Sequence, residues 1–257
     1  MSRAPRILFP GAIYHVTARG NRRAAIFLDH RDHMIWLDKL AKAAEKHNLR
    51  IHAYCLMPNH YHLLVETPLA NLPDGMHTVN ADYCQHFNNR HGLTGHVIQG
   101  RFHAGMVEKN SQLLAVARYI SLNPVRAKLV ADAADWQWSS HRHYLEPEFA
   151  PDWLETEWLL SHFGNGSLEE KVAAYRKFVN AGVGMPDPLA LHKEWPDAKR
   201  EQAQSLYTYS TNYADRNEAM SRAYQTNTYT RQEIADHFGV SIKTVSRAIR
   251  DFPDENA

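Results

Sequence analysis

The chain has 257 residues and an almost balanced charge, with 29 Lys and Arg against 28 Asp and Glu. This total hides an asymmetry, because residues 1–145 contain 17 basic and 10 acidic side chains, whereas residues 146–257 contain 12 and 18. The net charges of +7 and −6 point to a polyanionic partner for the first part only. No apolar run reaches the roughly 18 residues of a membrane helix, so we expect no membrane partner. Two cysteines without CxxC spacing, Cys55 and Cys84, favour a reducing cytoplasm.

The first part is predicted to contain strand, helix, strand, strand, helix, strand and helix, in that order. Strand-forming residues lie at 12–20, 49–57, 60–66 and 95–107, and apolar residues recur at helical spacing in 32–48, 76–91 and 109–130. We expect the last helix to stop before Pro124, because proline has no backbone N–H to donate within a helix. The order is typical of an α+β fold with a ferredoxin-like antiparallel sheet and helices on one face.

Three further segments follow the predicted domain of residues 1–145. Residues 146–182 are expected to form an acidic helical extension, in which Ser167 and Glu170 make a capping box that opens a helix ending near Gly182. Residues 183–228 are expected to be a linker and a helical segment. Residues 229–257 carry two short helical patterns around Gly239, which is the spacing of a helix-turn-helix and predicts an all-α DNA-binding module.

The second helix of this C-terminal module would face the DNA. Its predicted groove contacts are Lys243, Thr244, Ser246 and Arg247. Short amphipathic helix pairs are common, so a helical hairpin packed on the main domain is the alternative interpretation of the same pattern.

Two residue pairs of the first part could carry chemistry. His60 and His62 are two apart on a predicted strand, so both imidazoles project from one face of the sheet. Tyr119 and Asn123 are four apart on a predicted helix and share one face of it. Each pair alone is weak, since such histidines often make only local hydrogen bonds and such a tyrosine is usually part of a core. A sheet and a helix packed on it can bring all four side chains together, and this combination is much more specific.

These residues lie within motifs that resemble the HUH single-tyrosine transposases, in particular the REP-associated tyrosine transposase branch. The motifs are YHVTARGNRR near the start, MPNHYHLL around the histidines, QGRF at 99–102, YISLNPVRAKLV around the tyrosine, WQWSSHRHY at 136–144 and FVNAG at 178–182. Together they span roughly residues 6–182 in the order found in that branch. The ferredoxin-like arrangement predicted from the elements agrees with the fold that the resemblance implies.

The resemblance implies a role for each of the four residues. Tyr119 is similar to the nucleophile, His60 and His62 to the metal-binding histidines, and Asn123 to the polar residue that completes the metal site. The implied activity is metal-dependent cleavage and rejoining of single-stranded DNA near hairpins through a 5′-phosphotyrosine. The ligand set suits Mg²⁺ or Mn²⁺. The implied location is the bacterial cytoplasm at the nucleoid, and members of the wider family act as homodimers or as monomers.

Basic residues beside these motifs are predicted to line the DNA path, and they are Arg19, Arg22, Arg23, Arg101, Arg126 and Lys128. Two other functions fit the same sequence. One is a non-catalytic DNA-binding regulator derived from a transposase, in which the C-terminal module does the binding. The other is a metal phosphodiesterase that uses activated water and forms no covalent adduct.

Overall fold

The structure is a computed structural model that describes residues 8–107, 110–186, 206–213, 215–225, 229 and 231–252. The described chain forms two compact units, one within residues 8–186 and one within residues 206–252. The predicted linker lies mostly outside the described residues, as do the ends of the chain. No helix in the described ranges is long and apolar enough to cross a membrane.

The first unit is built on a four-stranded antiparallel sheet in the order β2-β3-β1-β4. Its elements are β1 (Ala12–Arg19), α1 (His30–His47), β2 (Arg50–Met57), β3 (His60–Thr67), α2 (Leu72–His91), β4 (His103–Met106) and α3 (Asn110–Arg126). This element order and strand order confirm the predicted α+β, ferredoxin-like sheet. The fourth strand is shorter than the predicted 95–107. Instead of joining β4, residues 97–99 bond to the end of β1, where Gln99 N donates to Arg19 O at 2.8 Å.

The helices α1 and α2 cover one face of the sheet. Alternate residues of β1, including Tyr14 and Val16, are buried on this side. Tyr61 of β3 also points to this side, since its ring lies against Trp36 of α1 and its hydroxyl donates to Asn80 of α2 at 2.8 Å. The strict alternation of the strands therefore sends His60 and His62 to the opposite face.

The helix α3 packs on that opposite face, over β2 and β3. The part of the face formed by β1 and β4 is more exposed, since Ile13, His15 and Thr17 are half-buried while β2 is buried from Ile51 to Met57. Two helices, α1 and α2, share one face as predicted, but α3 lies on the opposite face, so the helices are not confined to one side of the sheet. The side that carries the histidines is only partly covered.

The prediction that α3 stops before Pro124 is wrong, because the helix continues to Arg126. Pro124 removes one backbone donor, but the next turn regains helical bonding when Ala127 N donates to Asn123 O at 2.9 Å. The helix ends where Lys128 takes a left-handed conformation with φ 57°. There Leu129 N donates to Pro124 O at 2.9 Å, which is the hydrogen bond of a Schellman motif. The helix stop is thus set by the backbone at Lys128.

The chain after α3 covers one edge of the sheet. Leu56 N of β2 donates to Trp138 O at 2.9 Å, and Ser140 N donates to Tyr54 O at 2.9 Å. The indole N–H of Trp136 also donates to Leu56 O at 3.0 Å. Residues 136–140 therefore satisfy the backbone groups that an outer strand leaves unpaired.

Three helices complete this unit, namely α4 (His141–Leu145), α5 (Thr156–Leu160) and α6 (Leu168–Asn180). The predicted capping box opens α6, because Glu170 N donates to Ser167 Oγ and Ser167 N donates to Glu170 Oε2. Tyr175 joins α6 to α3, since its buried hydroxyl lies 3.1 Å from Ser121 Oγ and 2.9 Å from His141 Nδ1. The acidic extension thus supports the helix that carries Tyr119.

The second unit contains α7 (Leu206–Asn212), α8 (Arg216–Gln225), α9 (Arg231–Phe238) and α10 (Ile242–Asp251). Gly239 lies between α9 and α10 and has φ 63°, a conformation that glycine adopts without strain. Ala235 and Val245, one on each side of Gly239, are both buried in a core with Met220, Tyr224 and Ile234. The two predicted helices are therefore present, and they pack against α7 and α8.

Candidate active site

The two histidines of β3 lie on the sheet face that α3 partly covers. His62 is buried at the centre of the sheet, opposite Cys55 of β2 and Thr17 of β1. His60 is half-buried and pairs across the strands with Arg19 of β1. The period of two along the strand thus places both imidazoles side by side, with ring centroids 5.0 Å apart.

Helix α3 brings Tyr119 and Asn123 onto these histidines. The Tyr119 ring meets His62 edge-on, with centroids 5.4 Å apart. One turn later, the buried side chain of Asn123 lies beside His60 and acts to raise its pKa. The four residues predicted to act together are therefore neighbours in the structure.

Two side chains without a predicted role complete the cluster. His15 of β1 places its Nε2 atom 2.9 Å from His62 Nδ1, and its ring lies 5.9 Å from that of Tyr119. Asn59 places its Oδ1 atom 2.7 Å from His60 Nδ1. Both residues lie inside motifs quoted above, so their positions were visible in the sequence, but the pairing of β1 with β3 was needed to assign their contacts.

The environment keeps both candidate ligands neutral. Burial lowers the pKa of His62 well below its usual value, and the neighbouring His15 and His60 lower it further. Burial and then Arg19 lower the pKa of His60, while the neighbouring Asn123 amide opposes this shift. A neutral imidazole keeps a lone pair for a metal ion.

The donor atoms of the site fit a divalent metal. His62 Nε2 and Asn123 Nδ2 are buried and have no hydrogen-bond partner among the described residues. Amide oxygen and nitrogen exchange places when the Asn123 side chain flips, so this position can equally present an oxygen. No cluster of three or more His, Cys, Asp or Glu side chains suited to a metal occurs in the described part of the chain. The donors here are two imidazoles and one amide.

Four of the predicted DNA-contacting arginines lie at one end of β1. Arg19, Arg22, Arg23 and Arg101 are all exposed. Arg19 donates to Gln99 at 3.4 Å, and Asn21 N donates to Val97 O at 2.8 Å, so the turn after β1 and the segment before Arg101 are adjacent. They form a basic surface at the strand end next to His60.

The other predicted cations lie at the end of α3 and in the second unit. Arg126 is half-buried against Tyr119, and Lys128 is exposed at the helix stop. In α10, Lys243 and Arg247 are exposed four residues apart, whereas Thr244 hydrogen-bonds to Ser241 in the helix cap and Ser246 accepts from Arg231 at 3.5 Å. Lys243 and Arg247 are therefore the freest to reach a ligand among the four predicted contacts of that helix.

Comparison with known proteins shows what the first unit is similar to. Residues 9–123 match the family described as "Transposase IS200 like". A solved structure of a REP-associated tyrosine transposase bound to a REP hairpin is 21% identical, with a TM-score of 0.50, over 60% of this chain and 92% of that chain. A protein from Deinococcus radiodurans R1 assigned as a transposase is 16% identical, with a TM-score of 0.34, over 59% of this chain and 100% of that chain.

No curated protein matches this chain. The matched residues 9–123 contain the whole sheet and end on Asn123, so they include all four residues of the predicted site. The REP-associated transposase shares the fold of the first unit. Residues 9–123, which carry the predicted site, are therefore similar to the IS200-like transposase family.

Proposed function

We propose that this chain is a metal-dependent single-stranded DNA transesterase, which cleaves and rejoins DNA near hairpins with Tyr119 as the nucleophile. The observation that carries the proposal is the position of the Tyr119 ring, 5.4 Å from that of the buried His62 and one helical turn before Asn123. A phenol at this place lies beside a set of neutral nitrogen and amide donors, which is the arrangement that phosphoryl transfer to tyrosine requires.

The proposed reaction exchanges one phosphodiester for another. The Tyr119 oxygen loses its proton and attacks phosphorus, the bond to the 3′ oxygen breaks, and that oxygen leaves as a 3′-hydroxyl after taking up a proton. The 5′ phosphate is then linked to Tyr119, and attack by a 3′-hydroxyl reverses the step and joins strands without ATP. His60, His62 and Asn123 would hold Mg²⁺ or Mn²⁺, which when bound supplies positive charge to a non-bridging phosphate oxygen.

The shape of the first unit supports a single-stranded substrate. The half of the site face formed by β1 and β4 is partly exposed, and the basic surface of Arg19, Arg22, Arg23 and Arg101 adjoins it. Cations of this kind contact the phosphates, whereas a flexible single strand can turn one phosphate toward the recessed Tyr119. The hairpin is proposed from the fold shared with the REP-associated transposase, whose structure contains a REP hairpin.

Covalent capture tests this proposal. Wild-type protein is incubated with Mn²⁺ and a 3′-labelled hairpin oligonucleotide that has a single-stranded flank, and the products are separated under denaturing conditions. We expect a labelled protein–DNA adduct from the wild type and from the exposed control Tyr207→Phe, and none from Tyr119→Phe. An adduct with Tyr119→Phe would refute the assigned nucleophile. Cleavage without any adduct would favour the phosphodiesterase.

We further propose that α10 contacts duplex DNA, because its exposed Lys243 and Arg247 form a basic stripe on the second helix of a helix-turn-helix arrangement. A regulator that binds DNA without cleaving it would use this stripe alone. Equal DNA binding by wild type and Tyr119→Phe, without cleavage by either and with loss on deleting residues 229–257, would favour the regulator.

A further inference from the structure

We infer that His15 and Asn59 are positioning residues that fix the orientation and the tautomer of the two histidine ligands, so that both present Nε2 to the metal. This inference rests on the proposed function for the identity of the ligand site. Neither residue is a proposed ligand, nucleophile or DNA contact, and Asn59 also contacts the basic turn after β1.

His15 makes a short contact with the ring of His62. His15 Nε2 and His62 Nδ1 are 2.9 Å apart, and the two rings are stacked with an interplanar angle of 11°. One of the two nitrogens must donate the proton of this bond. If His62 Nδ1 donates, His62 Nε2 keeps its lone pair, and this is the buried atom that has no hydrogen-bond partner among the described residues. A metal-binding imidazole commonly donates its other N–H to such an outer acceptor.

A hydrogen bond to Asn59 fixes the tautomer of His60. Its Nδ1 lies 2.7 Å from Asn59 Oδ1, an atom that only accepts, so His60 Nδ1 carries the proton and donates. The Nε2 atom of His60 is then the one with a lone pair. His15 lies in β1 and contacts His62, whereas Asn59 lies in the turn before β3 and contacts His60. The two imidazoles are therefore fixed independently.

Asn59 also ties His60 to the basic turn after β1. Its Nδ2 donates to Arg23 O at 3.0 Å, and its backbone O accepts from Gly20 N at 2.8 Å. Arg22 and Arg23 both adopt positive φ, 53° and 61°, which is unfavourable for side chains with a Cβ and must be held by surrounding contacts. The amide of Asn59 holds this turn on one side and His60 on the other. A DNA strand that shifts this turn on binding would therefore also shift His60, through the side chain of Asn59.

Metal binding without DNA tests the inference independently of catalysis. Mn²⁺ affinity is measured by the loss of the free-ion electron paramagnetic resonance signal. We expect His15→Leu and Asn59→Ala to weaken Mn²⁺ binding about 10- to 100-fold, which is the usual effect of removing an outer partner of a ligand. His15→Gln, whose Oε1 can replace the Nε2 acceptor, should recover most of the affinity. His96→Leu and Asn89→Ala change exposed residues of the same types and should bind as the wild type does.

Long-range ¹H–¹⁵N NMR of the metal-free protein gives the second readout. We expect the Nδ1–H tautomer at His15, His60 and His62, and its loss at His62 alone in folded His15→Leu. The inference is wrong if His60 or His62 carries its proton on Nε2, or if His15→Leu binds Mn²⁺ as tightly as the wild type. Expected tautomers and Mn²⁺ affinities without any covalent adduct would instead refute the proposed function and leave the inference standing.

Discussion

The guanidinium of Arg126 lies over the ring of Tyr119, with its central carbon 5.2 Å from the ring centroid. The same guanidinium donates to the backbone carbonyl of Tyr119 at 3.4 Å. Arg126 thus holds a permanent positive charge against the side chain that is proposed to become a phenolate. This is a more specific role than the general phosphate contact that the sequence predicted for Arg126.

The Arg126 contact predicts a defect in the chemical step. The contact strengthens as negative charge develops on the phenol. With a gain of about 0.5 to 2 kcal/mol, the range for a cation over an aromatic ring, Arg126→Gln should slow adduct formation by about 2- to 30-fold. Single-turnover assays at saturating oligonucleotide measure this rate. Arg31→Gln, an exposed change on α1 at the other face of the sheet, should leave the rate unchanged. An effect confined to DNA affinity would assign Arg126 to binding alone.

The turn after β1 predicts a requirement for glycine at position 20. A Cβ at Gly20 would lie 2.0 Å from the backbone oxygen of Ala24 and 2.9 Å from Ile26 Cγ2. The turn must shift to accept it, so we expect Gly20→Ala to lower the free energy of unfolding by about 1–3 kcal/mol and to weaken DNA binding by the adjacent arginines. Urea denaturation measures the first effect. At Gly105 of β4 a Cβ meets no atom within 4 Å, so Gly105→Ala should change stability by less than about 0.5 kcal/mol.

Stability should fall on acidification because of His141. Burial lowers its pKa to about 4 from an ordinary 6.5. Between these values the unfolded chain binds a proton that the folded chain does not, so the free energy of unfolding decreases as pH falls from 6.5 to 4. This one group contributes up to about 1.4 kcal/mol per pH unit.

Replacing the histidine checks this assignment. His141→Asn keeps a polar group next to the Tyr175 hydroxyl but does not titrate, so its plot of unfolding free energy against pH should be flatter than that of the wild type. The exposed control His96→Asn should keep the wild-type slope. Identical slopes for wild type and His141→Asn would show that other groups cause the acid sensitivity.

The stripe on α10 predicts salt-dependent binding of duplex DNA. Affinity falls as salt concentration rises, and each phosphate contact adds about 0.9 to the steepness of log affinity against log salt concentration. Replacing both Lys243 and Arg247 with alanine should therefore reduce that slope by about 2, measured by fluorescence anisotropy with a DNA duplex. The same change should leave adduct formation on a minimal hairpin intact. An unchanged slope would exclude this stripe as a duplex-binding surface.

Local patterns were enough to predict most of the first unit. Alternation identified the strand that carries His60 and His62, and helical spacing placed Tyr119 and Asn123 on one face, because both periods are properties of the backbone alone. The rule used at Pro124 failed because a helix can lose one donor and continue when the following amides regain their partners. The end of the helix depends on the left-handed conformation of Lys128, and the neighbouring residues did not predict this conformation.

Contacts between distant segments could not be predicted in the same way. The roles inferred for His15 and Asn59 depend on the register of β1 against β3, and no local pattern fixes that register. Likewise, the capping box at Ser167 predicted where α6 begins, but nothing in it indicated that Tyr175 would reach Ser121 on α3. Secondary structure and the ligand pair followed from local sequence, whereas the supporting contacts followed from packing.

The segment at 136–140 also affects how the protein behaves in solution. An uncovered outer strand offers its backbone to any other chain with the same pattern, and this is a common route to aggregation. By bonding along β2 through Leu56 and Trp138, this segment closes that edge to a second copy. A chain ending at Asp135 would retain the sheet, both histidines and Tyr119, yet it would expose a buried, apolar strand from Ile51 to Met57. A shortened protein must therefore extend beyond Asn123, the last residue of the proposed site, and include residues 136–140 if it is not to aggregate.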